Sequence, residues 1–443
     1  EHDKPSGTLA LTGGRMLSMV HPFIEEKTTL IIQENRIVDI GPDGKVSIPE
    51  NAHVLPLEGR LVMPGLIDTH AHGQQAASGF IPQQNWVDYA RLGFGVTTVH
   101  DPSNDTQSIF AASEMTKAGL ITAPRTFSTG RILYGAAGSY KAEIDSLDDA
   151  EFHLERMKAV GAFSVKSYNQ PRRDQRQQII KAAREMGMLV VPEGGATFMH
   201  NLTMIVDGHT GIEHTVPVEM IYGDVLDLWR GAAVGYTPTL NVAYGGLGGE
   251  NYWYDVDEVW RNDRVMAFNP PHKVIPRARR RTTAPIEDYN HIRQARITKK
   301  LIDQGGLVQA GGHGQLNGIC THWELWSFVQ GGMTPFEALR SGTLHGAKYL
   351  GMDHDLGTIE VGKLADLIVF EESADPSIDI RQSQNIEWVI ANGRLYDAKT
   401  MNQKGNHTLD RHPFYWEQSP LAAGLMMQDP ATCAGCQRGA QRH

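Results

Sequence analysis

Two histidines one residue apart, His70-Ala71-His72, are of the right type and spacing to share a metal ion. They close the run Pro64-Gly65-Leu66-Ile67-Asp68-Thr69-His70-Ala71-His72-Gly73. Side chains alternate faces along a strand, so both imidazoles point the same way, which suits one divalent ion. The pair alone is a weak signal, because a chain with 19 histidines produces such pairs by chance. Its position adds weight, since a strand end followed by glycine is where a barrel fold places its chemistry. The cysteines offer less. Cys433 and Cys436 form a C-x2-C that lacks both the following His of a haem site and the second pair of a structural zinc site. A disulfide or two free thiols is the expectation there, and Cys320 stands alone.

The elements that must hold these side chains are readable along the chain. Residues 8–62 alternate short β-rich runs with turn signals such as Asp43-Gly44, which predicts antiparallel strands. From Leu61 apolar runs end in polar residues at Leu61–His70, Val96–Asp101, Thr126–Ile132, Ala162–Lys166, Leu189–Glu193, Gly211–His214, Tyr236–Leu240 and Leu307–His313. Helical patterns lie between most of them, as at Asp174–Gly187 and Tyr289–Gly305. Eight such units predict an α/β fold, a (β/α)8 TIM barrel with chemistry at the strands' C-terminal ends. The runs at 357–359, 363–370 and 389–396 have no barrel place left. They are expected to pair with residues 8–62 in a small β-sandwich domain built from both chain ends. The expected boundaries are 1–61 and 353–400 for the two parts of the small domain, 62–352 for the barrel and 401–443 for an extended tail.

Composition narrows the function classes. With 41 Lys+Arg against 51 Asp+Glu the net charge is -10, which argues against a nucleic-acid partner. The 41% of hydrophobic residues is enough for a large buried core. No stretch approaches the roughly 20 apolar residues of a membrane span. The start, Glu1-His2-Asp3-Lys4-Pro5, has neither an initiator Met nor a hydrophobic signal core, so a mature or excised chain is expected.

At the first strand the chain resembles the amidohydrolase superfamily, whose motif there is P-G-[LF]-I-D-x-H-x-H. A second match is Gly357-Thr358-Ile359-Glu360-Val361-Gly362-Lys363-Leu364-Ala365-Asp366-Leu367, and the resemblance runs from about residue 8 to about residue 397. More narrowly, Ser164–Tyr168, Pro192–Gly195, Asp207–His214 and Gly312–Gln315 resemble the branch fused behind a TolB-like β-propeller. That resemblance implies a periplasmic or secreted enzyme, a propeller partner and a homo-oligomer. It also implies two divalent ions, zinc or manganese, bridged by a carboxylated Lys166, because a carbamate binds two cations and an ammonium cannot. His214 would join His70 and His72 as a ligand. A lysine paired with an acid and a structural histidine are the plain alternatives.

Two positions depart from the family pattern together. Glu193 stands where the fifth strand supplies a histidine, and His313 where the eighth supplies an aspartate. The total charge around the ions is thereby kept, which favours a rearranged site over a dead one. His313 is then either the proton shuttle or a ligand. Tyr168 is placed to donate to a substrate carbonyl oxygen. Tyr244 and His209 are candidates for substrate contact, with a structural role open for His209. The segment Asn241–Pro285 is too long for an ordinary loop and reads as a lid. Its Arg277, Arg279, Arg280 and Arg281, like Arg172, Arg173 and Arg176, would bind a substrate carboxylate or simply face solvent. The leading expectation is a hydrolase in which metal-bound hydroxide attacks an amide carbonyl. The other is an inactive barrel serving as a platform for a propeller.

Overall fold

The computed structural model describes residues 3–77, 79–138, 141–195 and 197–418; Cys433, Cys436 and most of the expected tail lie outside the described residues. Both chain ends build one nine-stranded sheet. Thr8–Met16, Glu25–Gln33, Arg36–Pro42, His53–Pro56 and Leu61–Pro64 come from the first end, and Leu367–Phe370, Ile386–Ala391, Arg394–Asp397 and Gln403–Lys404 from the second. The seam is the antiparallel pairing of Leu61–Pro64 with Leu367–Phe370, in register Ile368↔Met63. Period-2 alternation puts Leu9, Leu11, Leu30, Ile32, Val62, Leu367, Val369 and Ile390 into one buried cluster.

Two expected strands are in fact hairpins or splits. The run 389–396 turns at Asn392-Gly393, whose φ values of 50° and 77° match the two-residue turn that suits strand twist. A side chain at Gly393 would also meet the Glu34 carbonyl, so glycine is required there twice over. The run Leu61–His70 splits at Gly65: Leu61–Pro64 belongs to the mixed sheet and only Leu66–Asp68 to the barrel, which moves the boundary expected at 61/62 by about three residues.

The parallel strands make a TIM-barrel-type α/β fold. Leu66–Asp68, Val96–Asp101 and Arg125–Ser128 pair in order. Ser164–Ser167 pairs with Leu189–Pro192, and Gly211–Glu213 with Gly235–Thr237. Tyr236 bridges Val308, and the Thr69 amide donates to the Ala310 carbonyl, which brings the last segment back to the first. The third run is also broken: Arg125–Ser128 faces the second strand, whereas Ile132–Tyr134 meets the fourth at Leu133↔Ser167 and carries an extra strand, Lys141–Glu143.

Residues 241–285 are a packed helical insert. Gly249–Val256, Asp263–Phe268 and Pro271–Arg279 are helices, and Trp253 and Tyr254 are buried edge-on against Trp326 and Trp323. Among the described residues no helix is long and apolar enough to cross a membrane.

Burial also sets the acid limit of the fold. His209, His291 and His322 are at most 2% exposed, and burial brings each imidazole down to about 4. An unfolded imidazole titrates near 6.5, so between about pH 6.5 and 4 the unfolded chain binds more protons than the folded one. Stability is therefore complete above that window and lost as pH falls through it, by up to about 1.4 kcal/mol per pH unit per group. The thermal midpoint should decline steadily below pH 6.5. His322→Gln, which can keep bonds to the Ser383 hydroxyl and Phe94 carbonyl, should flatten the decline. An unchanged slope would place the acid sensitivity elsewhere.

Candidate metal centre

The C-terminal ends of the barrel strands bring His70, His72, Lys166, Glu193, His214 and His313 together. His70 Nδ1 lies 2.6 Å from Glu213 Oε2, and His72 Nδ1 lies 3.0 Å from Asp101 Oδ1. Against a carboxylate each ring donates from Nδ1 and turns an unprotonated Nε2 inward. The two Nε2 atoms are 3.2 Å apart. Lone pairs this close repel unless a cation touches both. Two nitrogens on one tetrahedral zinc, at 2.0–2.1 Å each, stand roughly 3.3 Å apart.

One ligand-type atom from each of His70, His214 and His313 lies within 4.8 Å of the others. His214 Nδ1 faces the Thr239 hydroxyl at 2.7 Å, and its Nε2 is 3.1 Å from Glu193 Oε1. The other Glu193 oxygen is 2.7 Å from Lys166 Nζ, so Glu193 spans the lysine and the imidazole. The donor set, several neutral imidazoles and a carboxylate, fits a transition metal such as zinc.

The electrostatics follow from burial. Desolvation holds His70 well below the ordinary imidazole range, with Lys166 and the neighbouring rings adding to it. Burial pushes the Glu213 carboxyl up to about 7 while Lys166, Tyr349 and Thr237 pull against it. Burial and then His72 and His214 bring His313 down to about 3. Burial alone would raise Glu193, but Lys166 and His214 outweigh it and hold the carboxyl far below its usual range.

Backbone shape serves the same convergence. His214 and His313 have φ of 70° and 65°, left-handed values uncommon for a residue with a side chain. Gly314 follows with φ 76°, and a side chain there would strike the His72 carbonyl. His313 is also tied to the insert: its Nδ1 is 3.1 Å from Gln315 Oε1, Gln315 donates to Glu250 at 3.0 Å, and Glu250 pairs with Arg277 at 2.5 Å.

Of the substrate-side candidates, Tyr244 stands 5.5 Å ring-to-ring from His214, with its hydroxyl 3.4 Å from the Gly194 carbonyl. The Tyr168 phenol lies within the field of Glu193. His209 stands apart from this group. It precedes the strand Gly211–Glu213, roughly 16 Å of extended chain from His214, and is buried with Nδ1 at 3.0 Å from the Met204 carbonyl. Four of the seven arginines are spoken for: Arg277 by Glu250, Arg172 by Asp145, and Arg173 and Arg176 by Asp207. Asp101 and Glu213, which orient the two histidines, were not singled out from the sequence. Their signal was there, since each is an acid at the end of a barrel strand.

Residues 314–396 match the family model described as "Amidohydrolase family". The chain is 23% identical over 392 residues to adenine deaminase 2 of Bradyrhizobium sp. (strain ORS 278), covering 83% of this chain and 55% of that protein. It is 28% identical over 147 residues to a dihydroorotase of Syntrophotalea carbinolica (strain DSM 2380 / NBRC 103641 / GraBd1), 32% of this chain and 33% of that one. The chain thus spans about half, or less, of the length of these curated relatives. A solved Xaa-Pro dipeptidase with bound methionine superposes with TM-score 0.67 at 21% identity, over 88% of this chain and 100% of that chain, a likeness of fold. Together these comparisons show a likeness to amidohydrolase-family proteins over part of the chain and a likeness of fold over most of it.

If the carboxylates fix the two tautomers, Asp101→Asn and Glu213→Gln should each weaken zinc binding about 10–100-fold without unfolding the protein. Competition against a chromophoric chelator measures this, and His70→Ala in the same assay should lose most of the zinc. Full affinity in both acid-to-amide variants would detach these residues from metal binding.

Proposed function

Starting from that likeness to amidohydrolases, we propose that the chain is a metal-dependent hydrolase of carbon–nitrogen bonds. Its substrate would be an amide carbonyl in a small peptide, an N-acyl amino acid or a cyclic amide. The supporting observation is the pair of Nε2 atoms 3.2 Å apart, each with a carboxylate behind it. When bound, divalent ions would supply an activated water and a Lewis acid for the carbonyl oxygen. Aligned donors of this kind, one of them fully buried, cost stability and have no use in a scaffold, which weighs against an inactive platform.

The chain's own residues divide the remaining work. His70, His72, His214 and Glu193 hold the ions, zinc first and manganese second. Lys166 is read as carboxylated. As an ammonium it neutralises Glu193; as a carbamate it adds the second anion that two cations require. Tyr168 donates to the substrate carbonyl oxygen and Tyr244 lines the same mouth. His313, neutral and oriented by Gln315, takes a proton and returns it to the leaving nitrogen. The same reading takes the parallel strands as one eight-stranded barrel and the nine-stranded sheet as a small β-sandwich. It also places the enzyme outside the cytoplasm as a homo-oligomer beside a TolB-like propeller.

Metal analysis of the purified protein, with a screen of dipeptides, N-acyl amino acids and cyclic amides, tests the reading. Less than about one transition-metal ion per chain, and no activity after zinc or manganese is added, would overturn it. Lys166→Ala should lower metal content from two ions to one; two retained ions would mean that Glu193 bridges without a carbamate. His313→Ala should keep its metal and lower kcat by about 10²–10⁴. A fall in metal content first would instead make His313 a ligand.

A further inference from the structure

The extra strand Lys141–Glu143 is the edge of its four-stranded sheet, two strands from the one that carries Lys166. Its register with Ile132–Tyr134, and that strand's bond from the Tyr168 amide to the Leu133 carbonyl, bring three side chains together. Tyr134 and Tyr168 meet edge to face, 5.6 Å between centroids. The Lys141 ammonium sits over both, 4.1 Å from the Tyr134 ring and 4.5 Å from the Tyr168 ring. Among the described residues no carboxylate lies within ion-pair distance of it. An ammonium has three donors, and two ring faces give it a fixed place while satisfying none of them with an anion.

Tyr168 joins this cation to the metal centre. It is two residues beyond Lys166, so it lies on the same face of the strand's extension, roughly 7 Å further out. Arg172, Arg173, Arg176 and Arg277, considered first for an anionic substrate, are paired with acids elsewhere, whereas Lys141 has no such pair among the described residues and stands beside a residue of the proposed site. From this arrangement we propose that Lys141, held on Tyr134 and Tyr168, is the anchor for a free carboxylate of the substrate. The substrate class then narrows to N-acyl amino acids and small peptides with a free C-terminus, set against cyclic or uncharged amides. The inference rests on the hydrolase reading for the word substrate, and its test does not require turnover.

The probes are N-acetyl-leucine and N-acetyl-phenylalanine, each beside its C-terminal amide, with binding to the zinc-loaded full chain followed by ligand-observed NMR. The acids should bind at least 10-fold more tightly than the amides. Lys141→Met, which keeps the apolar stem over the rings, should collapse that difference, and Lys141→Arg should retain most of it. An acid preference that survives in Lys141→Met would put the carboxylate on the metal and overturn the inference; so would equal binding of acids and amides, or no binding of either. Lys141-dependent preference without hydrolysis of any probe would sustain the anchor and count against the hydrolase reading. Hydrolysis without preference would do the reverse.

Discussion

Everything at the centre depends on a hydrogen bond made on the far side of each ring. An imidazole offers a metal only the nitrogen that carries no proton, and the proton goes where an acceptor holds it. Glu213 behind His70 and Asp101 behind His72 are those acceptors, and Thr239 takes the equivalent position behind His214. The rings are therefore set before any ion arrives. The cost is a group of largely buried lone pairs facing one another, which the surrounding fold must hold in place.

The barrel strands can do this because two that carry metal-site histidines are very short. Leu66–Asp68 and Gly211–Glu213 are three residues long, and His70 and His214 lie just past their ends. The chain there leaves regular pairing: His214 and His313 adopt left-handed conformations, and the His313 amide donates back to the His70 carbonyl at 2.7 Å. Asp68, bonded to the Gly312 and His70 amides and to the Thr321 hydroxyl, fastens the first and last segments together beneath the site. Strain at the rim is thus tolerated because a buried carboxyl below it fixes the backbone.

Much of this could be read from the residues alone. The H-x-H at a strand end, the run of eight apolar segments and the return of both chain ends into one sheet all follow from period and turn chemistry, and Glu193 does sit between Lys166 and His214. Other features could not be read in that way. His209 shares a short polar run with His214, but side-chain type does not reveal which end of a three-residue strand a neighbour occupies. Glycines and aromatics at 244–254 suggested a lid over the barrel mouth, whereas Trp253 and Tyr254 are buried against Trp326 and Trp323. Asp101 and Glu213 were visible only as polar residues ending a strand; their role appears when strands distant in sequence are side by side.

The contacts running from His313 through Gln315 and Glu250 to Arg277 link the insert to the C-terminal ends of the barrel strands. An insert over a barrel mouth is the ordinary place for a lineage to vary what an enzyme accepts, since loops change more freely than strands. Here that freedom is curtailed. A replacement segment lacking an acid at the Glu250 position would leave the Gln315 amide to turn over, and His313 would lose the partner that fixes its ring. The insert and the setting of the His313 ring are therefore inherited together, and a graft that borrows the insert must carry residues 313–315 with it.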